Sequence, residues 1–211
     1  MILAIFDLDG TILDTLQDMH DCLDDTMNHF GLKRFSIDVT RSFVGDGIRR
    51  LVIRAAGEEN FKDEMETYFR QLYSVRMTVN TKVIDGYNEI FEYLKKNDIK
   101  TVILSNKIAS LTGELVQHYG IDRYFDKWYG GDSFGVKKPS PVPVESIVKD
   151  CGAEKSNTIM IGDNHTDIES GFYAGVKTCF CTFGYGTVSE VKPDFTVNNP
   201  HEIINILEGM K

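Results

Sequence analysis

The feature that most limits what this chain can fold into lies at residues 2–6, an unbroken apolar run Ile-Leu-Ala-Ile-Phe that breaks into Asp7-Leu8-Asp9-Gly10-Thr11. Apolar residues without polar alternation read as a strand buried on both faces, and so as part of a parallel sheet covered by helices. The break at Asp7 marks the end of that strand opening into a site. Side chains at i and i+2 leave an extended backbone on one side, so Asp7 and Asp9 can project together. Gly10 permits a tight turn and close approach of the main chain to a ligand. Paired carboxylates of this kind invite a hard cation such as Mg²⁺, and the plainer alternative is an acidic turn after a strand. A calcium loop of the EF-hand type does not fit, because Thr11 and Ile12 stand where it needs an oxygen ligand and a glycine.

From Asp14 and Thr15 onward the pattern is helical. Leu16, Met19, Leu23, Met27 and Phe30 recur at three and four residues until Gly31, which predicts an amphipathic helix. Ile48, Leu51, Val52 and Ala55, ended by Gly57, predict a second, and Phe61, Met65, Phe69 and Leu72 a third. After about residue 82 short apolar strands at 101–104, 158–161 and 178–183 alternate with helix patterns, with weaker strands at 127–129 and 195–197 and a last helix at 203–207. Alternation of this sort predicts an α/β fold, a Rossmann-like parallel sheet with helices on both faces. The first strand must join that sheet, so residues 1–14 and 82–211 form the core and residues 15–81 an inserted helical domain. Ligands are expected at the carboxyl ends of the strands.

Composition narrows the function. A net charge of −9 and a pI near 5.0 argue against a nucleic-acid or anionic-membrane surface. No apolar stretch approaches the roughly 20 residues of a membrane span. The apolar run at the start predicts entry into the first strand with no leader peptide. Cys22, Cys151, Cys179 and Cys181 lack metal-ligand spacing, and Cys179 and Cys181, on one face of a predicted strand, read as reduced core thiols, in keeping with a cytoplasmic location. Of the five histidines only His165, beside Asp163, is a candidate neighbour of a site.

Three further strand ends carry chemistry. The strand at 101–104 runs into Ser105-Asn106-Lys107, where a hydroxyl and an amide can donate to an anion, although Ser-Asn is also a common helix cap. Lys137 and Lys138 precede a Pro-rich turn, as a fixed positive charge for phosphate or as solvated loop residues. The strand at 158–161 ends in Gly162-Asp163-Asn164-His165-Thr166-Asp167, a second acidic pair.

In chain order these give an acidic pair, a hydroxyl donor, a lysine and an acidic pair. The set resembles the haloacid dehalogenase superfamily of phosphatases, whose four motifs occur in this order, here as Asp7-Leu-Asp9-Gly-Thr11, Ser105, Lys138-Pro139, and Gly162-Asp163 with Asp167. The resemblance covers essentially the whole chain, the helical insertion matching the family's small C1 cap. It implies Asp7 as nucleophile forming an aspartyl-phosphate, Asp9 as general acid and then base, and Lys138 as the charge that neutralises the phosphoryl oxygens. It implies Mg²⁺ on Asp7, Asp163 and the backbone carbonyl of Asp9, with Asp167 as an auxiliary ligand. Thr11, Ser105 and Asn106 would orient the carboxylates and the phosphate.

Within the insertion, Val44-Gly45-Asp46-Gly47-Ile48-Arg49-Arg50 looks like the substrate loop of the phosphoglycolate phosphatases and their near relatives. Gly45 and Gly47 would let the cap backbone approach the site, and Arg49 or Arg50 would meet a second anionic group. The alternative is a helix-joining turn followed by two solvated arginines. Asp85-Gly86 lacks the proline common before that glycine in relatives, a departure that bears on the exact substrate. The expected activity is a Mg²⁺-dependent phosphatase on a small phosphorylated metabolite, phosphoglycolate first, as a monomer or homodimer. Inorganic pyrophosphatase, a phosphomutase resembling β-phosphoglucomutase, and a receiver-type switch phosphorylated on aspartate are the alternatives. Against the switch stand the insertion and Asp9, since storing a phosphoryl group needs no acid/base beside the acceptor.

Overall fold

The apolar run becomes β1 (Leu3–Phe6), all four side chains without solvent exposure, in a computed structural model that describes residues 1–211. β2 (Leu13–Asp14) follows, then α1 (Leu16–His29), α2 (Ile37–Arg41), α3 (Ile48–Ala56), α4 (Asp63–Arg76) and β3 (Lys82–Val83). The chain then alternates through α5 (Tyr87–Lys96), β4 (Lys100–Leu104), α6 (Ala109–His118), β5 (Lys127–Tyr129) and α7 (Val142–Cys151). It closes with β6 (Thr158–Gly162), α8 (His165–Ala174), β7 (Lys177–Cys181), β8 (Phe195–Val197) and α9 (Glu202–Gly209). None of these helices is long and apolar enough to cross a membrane.

Six strands form one sheet in the order β5-β4-β1-β6-β7-β8, every neighbouring pair parallel. Phe6 at the end of β1 lies opposite Ile103 on β4 and Ile161 on β6, so Asp7, Ser105 and Asp163 emerge from adjacent strand ends. The period of two along β1 divides the core. Leu3 and Ile5 pack with Val102, Leu104 and Met160 against Val144, Ile147 and Val148 of α7. Ala4 and Phe6 face the other way, into a larger cluster with α5, α6 and α9. Phe6 meets the Tyr87 and Phe125 rings edge-on, at centroid distances of 6.4 and 6.1 Å. The strand expected at 178–183 stops at Cys181: the Thr182 N–H makes the last bond to β8 at the Val197 carbonyl, and the chain then turns, the Gly184 N–H reaching back to the Cys181 carbonyl.

Helices α1 to α4 pack around Met19, Leu23, Met27, Leu51, Val52, Met65, Phe69 and Tyr73. They join the core through two short chain segments that pair antiparallel as β2 and β3, Leu13 opposite Val83 and Asp14 opposite Lys82. Two-residue strands have no periodicity to read, so this pair carries no signal in the residue pattern. On the way into β2 the Leu8 carbonyl accepts the N–H groups of Thr11, Ile12 and Leu13, a tight turn that places Gly10 at φ +80°. A Cβ on Gly10 would lie 2.5 Å from Asp163 Oδ2, so both its conformation and its neighbour demand glycine.

The return segment is fastened by Asp18, in the first turn of α1 and 1% exposed. Its carboxylate accepts from the N–H of Asn80 at 2.9 Å, the N–H of Thr81 at 2.9 Å, the Asn80 amide at 3.0 Å and the Thr81 hydroxyl at 2.8 Å. Removing it strands buried donors at the junction. Asp18→Ala is expected to cost about 2–3 kcal/mol, a fall of roughly 4–12 °C in melting temperature, measured by calorimetry or thermal-shift unfolding. An unchanged melting temperature would show that the two segments are held by their strand pairing instead.

Candidate functional site

Four strand ends converge on Lys138, whose peptide bond to Pro139 is cis and whose side chain is 1% exposed. Its ammonium donates to Asp7 Oδ1 at 2.8 Å, to Asp167 Oδ1 at 2.6 Å and to the Leu104 carbonyl at 2.5 Å, which uses all three protons. Burial works against this charge, but the carboxylates of Asp167 and Asp7 outweigh it and hold the ammonium above its ordinary range. Asp167 sits in the first turn of α8. Its Oδ2 accepts the Asn164 N–H at 3.0 Å while the Asn164 side chain accepts the Thr166 N–H, a reciprocal cap that fixes both.

Asp163 is held separately. Its Oδ2 accepts the N–H groups of Tyr185 and Gly186 at 2.7 and 3.2 Å, and its Oδ1 accepts the Thr11 hydroxyl at 3.1 Å. Asp7, Asp163 and Asp167 are all buried and bring one oxygen each within 4.8 Å of one another. One lysine does not balance three carboxylates. Burial first, then the charge of Asp167, pushes Asp163 up to about 7. Burial likewise raises Asp7 well above the carboxylate range, against the pull of Lys138. A divalent cation bound by oxygens would relieve this excess, so the donor set fits one. The Asp9 carboxylate is not part of this cluster. Its Oδ1 accepts the Thr15 hydroxyl at 2.8 Å and its Oδ2 faces Lys107 Nζ at 3.2 Å.

Above the carboxylates lies a cavity of about 40 Å³ with a polar floor and an apolar roof. The core contributes Asp7, Asp9, Ser105, Asn106, Lys107, Lys138, Asp163 and Asn164. From the cap come Met19, Val44, Gly45, Gly47, Ile48 and Leu51. Gly45 and Gly47 have φ of +119° and +81°, and a Cβ on Gly45 would run into the Asn164 amide. Asn106 ties the two halves, its amide donating to the Gly45 carbonyl at 2.9 Å and to that of Lys138 at 3.0 Å.

Of the residues picked out in the sequence, Asp7, Asp9, Ser105, Asn106, Gly45, Gly47, Lys138 and Asp163 line this cavity, and Asp167 stands behind Lys138. Thr11 is fully buried and does not line it, serving instead to hold Asp163. Arg49 is not brought to it. Ile48 and Leu51 occupy the face of α3 that looks inward, which turns Arg49 and Arg50 outward. Arg49 pairs with Asp63 and Glu66 at 2.8 Å each and lies over the Phe61 ring. His165 lines an adjoining cleft with Arg41 and Tyr185.

Three participants escaped the sequence reading. Lys107 stood in plain view after Ser105-Asn106, Asn164 passed as a spacer between carboxylates, and Tyr185 lies far along the chain between Gly184 and Gly186. Those flanking glycines were the available signal, since a Cβ on either would strike Asp163 or Asn164. The Tyr185 hydroxyl accepts the N–H groups of Thr15 and Leu16 at 2.6 and 3.1 Å and donates to Asp14 Oδ1 at 2.7 Å, capping α1 from the core.

The family model for haloacid dehalogenase-like hydrolases matches residues 4–181, a span that takes in every one of the four strand ends. The chain is a haloacid dehalogenase-like hydrolase. Among relatives of this hydrolase, the phosphoglycolate phosphatase of Aquifex aeolicus is 33% identical over 209 residues, covering 99% of this chain and 98% of its own. That of Neisseria gonorrhoeae is 33% identical over 210 residues, covering 96% and 88%. Among solved structures, a Haemophilus somnus protein described as a predicted phosphoglycolate phosphatase superposes with a TM-score of 0.89 at 23% identity, over 98% and 97% of the two chains. A likeness at that identity shows the shared fold.

Because Tyr185 caps α1 across the junction, Tyr185→Phe leaves two helix-start N–H groups without their acceptor. The hydrolase is expected to lose about 1–3 kcal/mol, a fall of roughly 3–10 °C in melting temperature by thermal-shift assay. A change below the scatter of replicate melts would mean that water replaces the hydroxyl without loss.

Proposed function

We propose that this hydrolase is a phosphatase that removes phosphate from a small phosphomonoester, with 2-phosphoglycolate the first candidate, through an aspartyl-phosphate on Asp7 and with Mg²⁺ as its metal. The observation that carries this reading is the convergence of Asp7, Asp163 and Asp167 within 4.8 Å of one another, two of them paired with the buried Lys138, beneath a small cavity. The names of the relatives support the substrate class.

Lys138 occupies Oδ1 of Asp7, which leaves Oδ2 to attack phosphorus. With its three protons committed, Lys138 acts on the incoming phosphate chiefly through charge, supplying positive potential in a site shielded from water. Asp9 stands at the cavity edge to give a proton to the leaving oxygen and to take one from the water that later opens the acyl phosphate. Covalent transfer to Asp7 divides one difficult displacement into two easier ones. Asp7 and Asp163, with Asp167 beside them and the Asp9 backbone carbonyl, are the groups that would hold Mg²⁺. When bound, the ion offsets the repulsion between an anionic nucleophile and an anionic phosphate.

The cap supports a short leaving group. Its roof is apolar, the space beneath it is small, and it brings no arginine. What it does bring is the N-terminus of α3 at Gly47 and Ile48, which has no side-chain cap and no acidic residue in its first turn. Free N–H groups at a helix start suit a carboxylate such as that of glycolate. Specificity for a second anion then rests on backbone where the sequence suggested Arg49.

Phosphate release should be measured with Mg²⁺ over 2-phosphoglycolate, pyrophosphate and hexose phosphates. The wild type is expected to favour 2-phosphoglycolate, Asp7→Asn to abolish release, and Arg49→Ala to keep KM within about twofold, its exposed ion pairs being worth little. Activity in Asp7→Asn equal to wild type would overturn the nucleophile, and preference for a hexose phosphate the substrate class.

Metal binding has its own readout. Adding Mg²⁺ to protein stripped by a chelator is expected to raise the melting temperature, by about 2.7 kcal/mol of stabilisation at 100 times the dissociation constant. Asp163→Asn should remove most of that shift. An identical shift in the variant would place the ion elsewhere.

A further inference from the structure

Lys107 is 5% exposed, and Lys138 is the one other lysine buried to that degree. A buried ammonium is unfavourable unless it is paired and hydrogen-bonded, so its surroundings show what holds it. The side chain follows Ser105 and Asn106 off the end of β4. Its Nζ lies 3.2 Å from Asp9 Oδ2, donates to the Tyr73 hydroxyl at 2.9 Å and sits 4.5 Å from the centre of the Tyr73 ring. Tyr73 belongs to α4 of the cap, is fully buried and stacks on Phe69. Asp9 Oδ1 meanwhile accepts the Thr15 hydroxyl at the junction between cap and core. The Asp9 carboxylate is thus tied through both oxygens, one to the junction and one to a lysine whose own place is set by the cap.

We propose that Lys107 is the positioning residue for Asp9, seated by Tyr73, so that the proton donor is aimed only when the cap is in place. The proposal rests on the reading of Asp9 as the acid toward the leaving group. In that step an Asp7 carboxylate oxygen forms a bond to phosphorus as the bond from phosphorus to the ester oxygen breaks. The Asp9 carboxylic proton passes to that ester oxygen, the alcohol departs neutral, and Asp9 is left as a carboxylate. An alkyl ester needs this proton because an alkoxide is a poor leaving group. Acetyl phosphate does not, because acetate leaves as a stable anion.

The test compares kcat/KM with Mg²⁺ on ethyl phosphate, 2-phosphoglycolate and acetyl phosphate, the last corrected for spontaneous hydrolysis. A positioned proton donor is worth about 10²–10⁴-fold and a small misplacement about 10²-fold, so Lys107→Met is expected to lose about 10- to 100-fold on both alkyl substrates and less than about threefold on acetyl phosphate. Lys107→Arg should restore part of the loss. Tyr73→Phe, which keeps the buried ring and removes the hydroxyl, should show the same selectivity with a smaller loss, and it carries the test if Lys107→Met does not fold.

Equal losses on all three substrates in both variants would reduce Lys107 to a structural role and overturn the proposal. A loss confined to 2-phosphoglycolate would overturn it differently, by assigning Lys107 to the substrate carboxylate. Asp9→Asn separates the two levels. If it discriminates alkyl from acetyl esters while Lys107→Met does not, the role of Asp9 stands and that of Lys107 falls. If Asp9→Asn itself shows no discrimination, the reading of Asp9 fails and the proposal with it.

Discussion

Lys138 divides its three protons among Asp7, Asp167 and the end of β4, and the rest of the site is arranged around that division. Carboxylates buried this close together repel, and each has lost much of its hydration. Each therefore has a dedicated set of donors. Asp167 takes the Asn164 N–H as part of a helix cap, and Asp163 takes two N–H groups from the Tyr185 loop and the Thr11 hydroxyl. The loops exist to supply these donors at fixed positions. Stability comes from elsewhere, from two hydrophobic layers on either side of β1, which leave the sheet rigid enough to hold a strained charge distribution at its edge.

The two halves of the molecule do different work. The core supplies every charged group in the cavity, and the cap supplies apolar side chains, two glycines and a helix start. The charge in the cavity is thereby set by the core, while its apolar wall is set by Met19, Val44, Ile48 and Leu51. Contact between the halves runs partly through main-chain carbonyls, with Asn106 reaching Gly45 and Lys137 reaching Asp46, and partly through side chains, with Lys107 reaching Tyr73 and a shared hydrophobic cluster beneath. The two carbonyl latches depend on backbone shape, and the Tyr73 contact on a cap side chain.

Much of this was legible in the residues. The unbroken apolar run announced β1 because only a strand covered on both faces dispenses with polar alternation, and the cap helices announced themselves by their spacing of three and four. Two of the strand ends that build the cavity were visible at Asp7 and Asp163 because acidic pairs interrupt apolar runs there. Arg49 shows where reading by residue type goes astray. Ile48, Leu51, Val52 and Ala55 already defined the inward face of α3, and an arginine between the first two had to point away from it. Tyr185 and Lys107 were hidden for another reason, since the tyrosine's partners lie 22 to 171 residues away and the lysine's lie beyond the end of β1 and on α4, and a linear pattern records neither. The β2 and β3 pair was too short for any period to register.

The reach of Tyr185 has a consequence for how such proteins can be recombined. Its N–H holds a carboxylate of the cluster, while its hydroxyl holds the first turn of the cap, so one residue spans the seam beside the short strands and the Asn106, Lys107 and Lys137 contacts. A cap taken from a relative and grafted at Leu13–Asp14 and Lys82–Val83 must present its opening helix N–H groups to that hydroxyl. Compatibility between exchanged parts then depends on that phenol as well as on the other contacts across the seam, and a chimaera matched everywhere else but there would pass its misfit directly to Asp163.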